Sequence, residues 1–393
     1  MVNILNDLSS LSRYRKASIS RFLLKLMIVC MLGCGISAAG YPAENFEKAA
    51  HSKGVFAFGK AGKGRIGFDL YVTDTKEVQT ITLLNVENGN ETIVFSIPVC
   101  GGNKFYPREI KPEAWHRFEI EFDLRYNFSK VFIDGEWLTS VLAKTQQRFV
   151  NELRSINSPG AKEAPELKNL NVKGTNPDFK IPLKIVAFGN STTAYRKTIT
   201  GVYSQRMPEY FQRDNIPVQI FNEGVGGSHT GRISDNSLHK IRHALDRFDD
   251  ILARHPDIVT FNFGINDSWV DSDDSTGVSR IPLIKFRENL LYMVGTLKKM
   301  NIDVIIMTPS GFGKNIPAWR KKRTDGYALV IRDIAKKEDI PLIDQWKLMS
   351  SSNFLKGREI DSFLLPDGIH TNDAWHKVLA EKLSATIISY VKR

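Results

Sequence analysis

The hydrophobic pattern of this 393-residue chain changes its period near residue 181, and this change limits the fold more than any other feature. Between residues 54 and 138 polar and apolar residues alternate, which is typical of strands with one buried face. Gly, Asn, Asp and Pro lie between the alternating segments, where turns need them. The pattern predicts an all-β jelly-roll sandwich. The predicted strands are RIGFDLYV (65–72), TITLLNV (80–86), TIVFSI (92–97), RFEIEFDL (117–124) and KVFIDG (130–135).

After residue 181 the apolar runs are continuous, and they alternate with segments of helical spacing. Strands without a polar face indicate a parallel sheet covered by helices on both sides, so this half is predicted to be an α/β domain. In such sheets the functional side chains collect beyond the carboxyl ends of the strands. The predicted strands are 183–188, 218–222, 257–264, 303–309 and 341–344, and the predicted helices are 201–214, 238–253, 284–300, 320–337 and 373–391.

The N-terminal 39 residues are typical of a secretory signal peptide. Basic residues precede the apolar stretch LMIVCMLGCGISAA (26–39), which ends in small residues. We expect cleavage after Ala39; an uncleaved anchor helix and lipidation of Cys34 are alternatives that fit the pattern less well. Only Cys100 would then remain, so no internal disulfide is expected. No later apolar run in the sequence is long enough to span a bilayer, so no stable transmembrane segment is expected once the signal is removed.

The net charge favours some classes of partner over others. It is formally +11, or +7 (49 basic against 42 acidic residues) once residues 1–39 are removed. A basic surface suits acidic polysaccharides or anionic components of a cell envelope. The sequence has no dense stripe of basic and aromatic residues, so a nucleic-acid partner is not expected.

Four polar motifs lie where the α/β pattern places functional groups, after predicted strands or just before the last predicted helix. They are GNS (189–191), NEGVGGSHTGR (222–232), GINDSW (264–269) and LLPDGIHTNDAWH (364–376). Together they contain what acyl transfer requires: a hydroxyl nucleophile, a base, a carboxylate that orients the base, and donors for an oxyanion. The sequence therefore predicts a serine hydrolase site in this half of the chain.

The candidate catalytic residues are Ser191 as nucleophile, His370 as base and Asp367 as the residue that orients the histidine. The spacing of three residues between Asp367 and His370 brings their side chains together on one tight turn. The candidate oxyanion donors are the backbone N–H groups of Ser191 and Gly227 and the amide of Asn266. Glycine at position 227 has no Cβ that would keep its backbone away from the substrate.

In this order the four motifs resemble those of the SGNH, or GDSL-like, esterase and lipase superfamily. The resemblance covers residues 181–393. It implies the catalytic roles just given and a flavodoxin-like three-layer α/β/α fold that uses neither a metal nor another cofactor. The residue before the serine departs from the family pattern, because Asn190 stands where Asp is most common. We expect Asn190 to brace the loop through hydrogen bonds, as that Asp does.

Several of these residues also have an interpretation without catalysis. Ser191 could be a helix N-cap, since Ser is common at that position. Asn266 could be an ordinary turn residue, and His370 a surface histidine. The presence of all four motifs favours the catalytic interpretation.

His229, Arg232 and Trp269 are candidate substrate-binding residues because they lie within or next to the motifs. His229 and Arg232 could equally belong to a solvated loop that does not bind substrate. Trp269 could equally be an aromatic residue packed in the domain. His376 is interpreted as a surface or packing residue of the last helix. Asp267 and the acidic run 271–274 are interpreted as a polar loop, because no histidines lie at ligand spacing, so no metal site is expected.

The segment WHRFEIEFDLRYNFSKVFIDGEWL (115–138) resembles the late hairpin of laminin G-like and concanavalin-like lectin modules. The resemblance implies a carbohydrate-binding sandwich that is closed by the strand ELKNLNVKG (166–174), with a predicted helix at 146–156 between the two. The expected boundaries are 1–39 for the signal peptide, 40–175 for the sandwich, 176–182 for a linker and 183–393 for the catalytic domain.

These inferences favour a secreted or periplasmic serine esterase that hydrolyses O-acyl esters, chiefly O-acetyl esters, on an oligo- or polysaccharide. Two alternatives stay open at this point, since a fold alone does not choose a substrate. One is a lipase or phospholipase. The sequence shows no evident hydrophobic lid, which counts against this alternative. The other is a glycan-binding protein whose hydrolase domain is inactive.

Overall fold

The computed structural model describes residues 44–45, 51–52, 54–72, 79–99, 110–157, 167–178, 180–236 and 240–392. The predicted signal peptide and Cys100 lie outside the described residues. Residues Ala43–Ile388 belong to one compact unit, which contains both regions described below. No helix in the described part of the chain is long and apolar enough to cross a bilayer.

The first region is a β-sandwich, as the alternating pattern predicts. Its strands are β1 (Glu44–Asn45), β2 (His51–Ser52), β3 (Val55–Ala61), β4 (Lys63–Val72), β5 (Gln79–Glu87), β6 (Asn90–Val99), β7 (Ala114–Asp123), β8 (Phe128–Ile133), β9 (Glu136–Leu142), β10 (Val150–Asn157) and β11 (Leu167–Thr175). They pair in two antiparallel sheets, of order β1-β11-β4-β7-β8-β9 and β2-β3-β10-β5-β6. The five predicted strands between residues 65 and 135 coincide with β4 to β8 to within three residues.

The sandwich core lies between the two sheets and is formed by buried apolar side chains of their strands. Phe68 of β4 and Phe118 of β7 are cross-strand partners whose rings stack at 5.6 Å. Each is fully buried, and burial of such a side chain stabilises the fold by about 1.5–3 kcal/mol. Asn88-Gly89 and Asp134-Gly135 turn the chain with φ between 50° and 80° at both residues, which favours Gly, Asn and Asp at the tips of hairpins.

The predicted helix at 146–156 is wrong, because these residues contribute strand β10 instead. Val150 and Leu153 are fully buried, and β10 pairs with β3 on one side and β5 on the other. A strand in this central position forms hydrogen bonds to two neighbours, and that pairing outweighs the local helical preference of the segment.

The second region alternates strands with helices. Its strands are β12 (Leu183–Gly189), β13 (Val218–Gly224), β14 (Ile258–Asn262), β15 (Asp303–Met307) and β16 (Leu342–Ile343). Its α-helices are α1 (Tyr203–Arg213), α2 (Phe248–Ala253), α3 (Ile265–Ser268), α4 (Leu283–Lys299), α5 (Ala318–Lys337), α6 (Gln345–Met349), α7 (Ser352–Leu355) and α8 (Asp373–Val391).

The five strands form one parallel sheet of order β13-β12-β14-β15-β16, which is the flavodoxin-like order 2-1-3-4-5. Every residue of β14 is buried, as expected for a strand covered on both faces. Helices α4 and α5 pack on one face, where Phe286 and Ile331 join Phe188 and Phe261 of the sheet in one apolar core.

The predicted helix at 238–253 is helical only over Phe248–Ala253. The preceding residues bond to another loop, because the N–H of Ala244 donates to the carbonyl of His229 and that of Leu245 to the carbonyl of Gly231. These hydrogen bonds to a distant segment replace the ones that a longer helix would form.

Candidate active site

The carboxyl ends of three neighbouring strands meet at one edge of the parallel sheet. Gly189, which ends β12, is aligned with Gly224 at the end of β13 and with the last residue of β14. The segments that follow these three strands carry Ser191, Gly227 and Asn266. Three of the four sequence motifs are therefore brought to the same edge by the strand order.

The loop that carries Ser191 is held by Asn190, which is almost fully buried. The backbone carbonyl of Asn190 accepts the N–H groups of Thr193 and Ala194, each at 3.0 Å. Its side-chain Oδ1 accepts the N–H of Thr192 at 2.9 Å and the Thr192 hydroxyl at 2.8 Å. Oδ1 thus makes the acceptor contacts that a carboxylate would make here, without a buried charge.

The Ser191 loop lies directly against the end of β13. A Cβ atom at Gly224 would be 2.2 Å from the backbone nitrogen of Ala194, so only glycine fits at position 224. The next helix, α1, begins at Tyr203, and its N-cap is Val202. Ser191 is therefore part of a turn and does not cap α1.

Ser191, His370 and Asp367 form a hydrogen-bonded chain. His370 Nε2 lies 3.0 Å from Ser191 Oγ, and His370 Nδ1 lies 2.6 Å from Asp367 Oδ2. The second carboxylate oxygen, Asp367 Oδ1, accepts the backbone N–H groups of Ile369 and His370, both at 2.9 Å. With its proton on Nδ1, the imidazole donates to the carboxylate and leaves Nε2 free to accept the serine proton.

The charges around this chain of hydrogen bonds suit a base. Burial raises the pKa of Asp367, but the N–H groups of His370 and Ile369 and the imidazole outweigh it, so the net pKa lies below its ordinary value. Burial and then the positive charge of Arg196 lower the pKa of His370, against the opposing effect of Asp367. At neutral pH the imidazole is therefore uncharged and able to take a proton.

Gly227 and Asn266 lie on two loops that are bonded to each other. Asn266 Nδ2 donates to the carbonyl of Ser228, the residue after Gly227, at 3.1 Å. An amide has two N–H bonds, so this contact leaves the second one for another acceptor. Gly227 has a φ of 76°, a backbone conformation that favours glycine.

Comparisons with known proteins match the second region of the chain. Residues 187–378 match the family model described as GDSL-like Lipase/Acylhydrolase family. Residues 187–378 form a GDSL-like lipase/acylhydrolase domain.

Two curated relatives match this GDSL-like domain in sequence. The lipoprotein YqeF of Bacillus subtilis is 28% identical over an alignment of 209 residues that covers 47% of this chain and 79% of YqeF. An acetylxylan esterase of Geobacillus stearothermophilus is 23% identical over 195 residues, 49% of this chain and 80% of that enzyme. Among solved structures, a lipase/acylhydrolase from Enterococcus faecalis matches with 25% identity and a TM-score of 0.42, over 52% of this chain and 95% of that chain.

Asp267 connects the two loops of the GDSL-like domain that carry the candidate oxyanion donors, a role that the sequence analysis missed. Its Oδ1 accepts the N–H of Thr230 at 2.7 Å and the Thr230 hydroxyl at 2.5 Å, and its Oδ2 accepts the N–H of Gly264 at 3.0 Å. The expectation that Asp267 belongs to a polar loop is wrong, because it is fully buried. Burial raises its pKa to about 6. The only signal in the sequence was its position next to Asn266.

Arg196 is a second residue that the sequence analysis did not identify. Its guanidinium donates through Nη2 to the backbone carbonyl of Ser191. Its charge acts on both His370 and Asp367, which places it beside the candidate catalytic residues. No motif marks this arginine, and only the fold brings it to the site.

The three candidate substrate-binding residues lie in different surroundings. His229 is fully buried, with its ring stacked on His243 at a centroid distance of 3.4 Å. This burial corrects the expectation that His229 contacts substrate. Arg232 is exposed and donates to the carbonyl of Leu245 at 3.1 Å, while the partly buried Trp269 lies under the Arg320 guanidinium at 3.8 Å. For Arg232 and Trp269 substrate binding stays a prediction.

His376 packs inside the domain and is not a surface residue. Its Nδ1 accepts the N–H of Tyr203 at 3.1 Å, and burial lowers its pKa well below the ordinary value. Its neighbours are therefore held by a neutral imidazole. Within the described residues no group of three or more His, Cys, Asp or Glu side chains is arranged to hold a metal ion.

Proposed function

We propose that this chain is an exported serine esterase that removes O-acyl groups, chiefly O-acetyl groups, from a carbohydrate. The observation that carries the proposal is the chain of hydrogen bonds from Ser191 Oγ through His370 to Asp367, with distances of 3.0 and 2.6 Å. A hydroxyl, an imidazole and a carboxylate in this order are what an activated serine nucleophile requires.

In the proposed reaction His370 Nε2 takes the proton of Ser191 Oγ while this oxygen bonds to the ester carbonyl carbon. Asp367 keeps the proton on Nδ1 and stabilises the imidazolium. The bond between the carbonyl carbon and the sugar oxygen then breaks, and this departing oxygen receives the proton from His370. A water molecule, deprotonated by the same imidazole, hydrolyses the acyl-enzyme and restores the Ser191 hydroxyl.

The negative charge on the carbonyl oxygen needs fixed donors in both steps. We assign this role to the backbone N–H groups of Ser191 and Gly227 and to the second N–H of the Asn266 amide. The bond from Asn266 to the Ser228 carbonyl supports the assignment, since it holds the amide beside the Gly227 loop. Loss of one such donor typically lowers kcat by about 10²–10³-fold.

Support for a carbohydrate ester comes from two sources. One relative of the GDSL-like domain is an acetylxylan esterase, at 23% identity. The other is the sandwich, whose 115–138 hairpin resembles lectin modules. Export to the envelope or beyond is part of the same proposal, and the resemblance to a Bacillus subtilis lipoprotein is consistent with it.

The proposal is tested by comparing wild type with Ser191→Ala. We expect wild type to hydrolyse p-nitrophenyl acetate and to release acetate from acetylated polysaccharides, with both activities lost in the variant. A panel of acetylated xylan, acetylated pectin and long-chain lipid esters then identifies the substrate class. Release of fatty acid without release of acetate would contradict the carbohydrate assignment, and full activity in Ser191→Ala would contradict the serine mechanism.

A further inference from the structure

Among the contacts between the sandwich and the GDSL-like domain are hydrogen bonds at two places, one at each end of α1. The first lies at the end of the sheet opposite the active site, where β13 begins. There the Tyr126 hydroxyl donates to Asn215 Oδ1 at 3.1 Å, and the buried Asn127 Nδ2 donates to the carbonyl of Val218 at 3.0 Å. These contacts join the two regions without touching the Ser191 loop.

The second place is the end of the loop that begins at Ser191. The hydroxyl of Thr139, in strand β9 of the sandwich, donates to the carbonyl of Thr200 at 2.7 Å. Gln205, in the first turn of α1, donates through Nε2 to the carbonyl of Ser140 and accepts the N–H of Val202 at 2.9 Å. Two residues of β9 therefore hold the segment that links the nucleophile loop to its helix.

The same segment is bonded to the start of α8, three residues after His370. The Asp373 carboxylate accepts the N–H groups of Thr200 at 3.0 Å and of Gly201 at 3.3 Å. Arg206 donates to Asp373 and, through Nε, to the carbonyl of Gly201 at 2.7 Å. Trp137 of β9 lies over the Arg206 guanidinium, with 5.1 Å between the ring centroid and Cζ.

These bonds meet at the point where the two halves of the candidate active site come together. Ser191 and His370 are 179 residues apart in the chain, so their 3.0 Å contact depends on how the Ser191 loop is placed against the start of α8. Asp373 of α8 bonds to Thr200 and Gly201, at the end of this loop. From the sandwich, Thr139 bonds to Thr200, and Trp137 contacts Arg206, which bonds to Asp373.

We propose that the β9 edge of the sandwich is a positioning element of the active site, in which Thr139 and Trp137 hold the Ser191 loop against the helix that follows His370. The inference rests on the proposed function of Ser191 and His370. It gives the sandwich a role in the reaction itself, in addition to any binding of glycan. A misplacement of about 1 Å between reacting groups can lower the rate by about 10²-fold, so one lost hydrogen bond at this junction has a measurable effect.

The test uses the full chain with single substitutions that remove or keep one side-chain hydroxyl of the sandwich. In Thr139→Val the bond to the Thr200 carbonyl is removed while the side-chain shape is kept. We expect its kcat for p-nitrophenyl acetate to fall about tenfold with KM within about twofold, because only the reacting geometry changes. Thr139→Ser keeps the hydroxyl and is expected to retain most of the wild-type kcat. Tyr126→Phe, which removes one bond at the distant contact, is the matched control and is expected to keep the wild-type kcat.

Gln205→Met is a second variant of the same junction and is expected to lower kcat as Thr139→Val does. Active-site titration corrects every kcat for the amount of folded enzyme. An unchanged kcat in both Thr139→Val and Gln205→Met overturns the inference, and so does an equal loss in Thr139→Val and Tyr126→Phe, which would indicate general weakening of domain contacts. Ser191→Ala separates the two proposals. If it stays active the esterase mechanism fails, whereas an inactive Ser191→Ala beside fully active Thr139→Val and Gln205→Met refutes only the positioning role.

Discussion

Replacement of Asp267 by Asn should change two properties of the GDSL-like domain, the pH dependence of its unfolding free energy and its kcat. Burial raises the pKa of this carboxyl to about 6 in the folded chain, whereas its pKa in the unfolded chain is about 3.9. The folded state therefore binds the proton about two powers of ten more tightly. At about 1.4 kcal/mol for each power of ten, ionisation of Asp267 lowers the free energy of unfolding by about 3 kcal/mol.

The sign of this effect sets the pH range of the experiment. Below about pH 4 the carboxyl is protonated in both states, and its contribution to stability is fully present. That contribution is lost progressively as the pH rises from about 4, where the unfolded state ionises, to about 6, where the folded state ionises as well. Asn does not titrate, so the unfolding free energy of wild type minus that of Asp267→Asn should decrease by about 2 kcal/mol between pH 4 and pH 7, the rest of the change lying below pH 4.

The same substitution should lower activity. An amide in this position can accept the two Thr230 donors on its oxygen, but its NH₂ then faces the N–H of Gly264. Because Gly264, Asn266 and Asp267 lie on one loop, these opposed donors distort the loop that carries the Asn266 amide, so we expect kcat to fall at least about tenfold.

Urea titrations from pH 4 to pH 7, with kcat on p-nitrophenyl acetate, measure both effects. Thr230→Val is the matched control, because it weakens the same contact and keeps the titrating carboxyl. Its stability should still fall with rising pH, with the loss extending to higher pH than in wild type, because the Thr230 hydroxyl lowers the pKa of Asp267. A stability difference between wild type and Asp267→Asn that does not change with pH would refute the assigned burial cost. A wild-type kcat in Asp267→Asn would refute the role in holding the loops.

Substitutions at Arg196, Gly224 and Asn190 test the surroundings of the nucleophile. Arg196→Met removes a charge that lowers the pKa of His370, so the acid limb of kcat/KM against pH should move to higher pH; a limb that stays in place would contradict the assignment. Gly224→Ala should abolish labelling by a fluorophosphonate, because its Cβ would meet the Ser191 loop at 2.2 Å, whereas Gly226→Ala, which has open space, should be labelled at the wild-type rate. Asn190→Asp should keep kcat within about threefold, since either side chain accepts the two loop bonds, and Asn190→Ala should lower it about tenfold or more.

The two sheet types were predictable from the sequence because the period of burial is local information. Alternation between residues 54 and 138 predicted half-buried strands, and the continuous apolar runs after residue 181 predicted the parallel sheet. The segment 146–156 was predicted wrongly because β10 is stabilised by pairing with β3 and β5, and its own sequence does not reveal these distant neighbours.

The candidate catalytic residues were predictable from their motifs, since each follows a strand end or lies on a short turn. The residues that support them were not. Arg196 reaches the Ser191 carbonyl through a loop conformation that no pattern marks, and Asp267 appears in the sequence as one more acidic residue near 271–274. The polar histidine His229 was expected near the surface, yet it is buried against His243. Such contacts depend on the tertiary fold, and composition and spacing do not contain them.

The central claim is that Ser191 is the nucleophile and that His370 activates it. The most direct measurement is mass spectrometry of the chain after reaction with a fluorophosphonate, with the modified peptide mapped to a single residue. The account predicts an adduct on Ser191 in wild type, no adduct in Ser191→Ala, and labelling slowed about 10²-fold or more in His370→Ala. An adduct on a different residue, or hydrolysis of p-nitrophenyl acetate by a chain in which Ser191 stays unmodified, would contradict it.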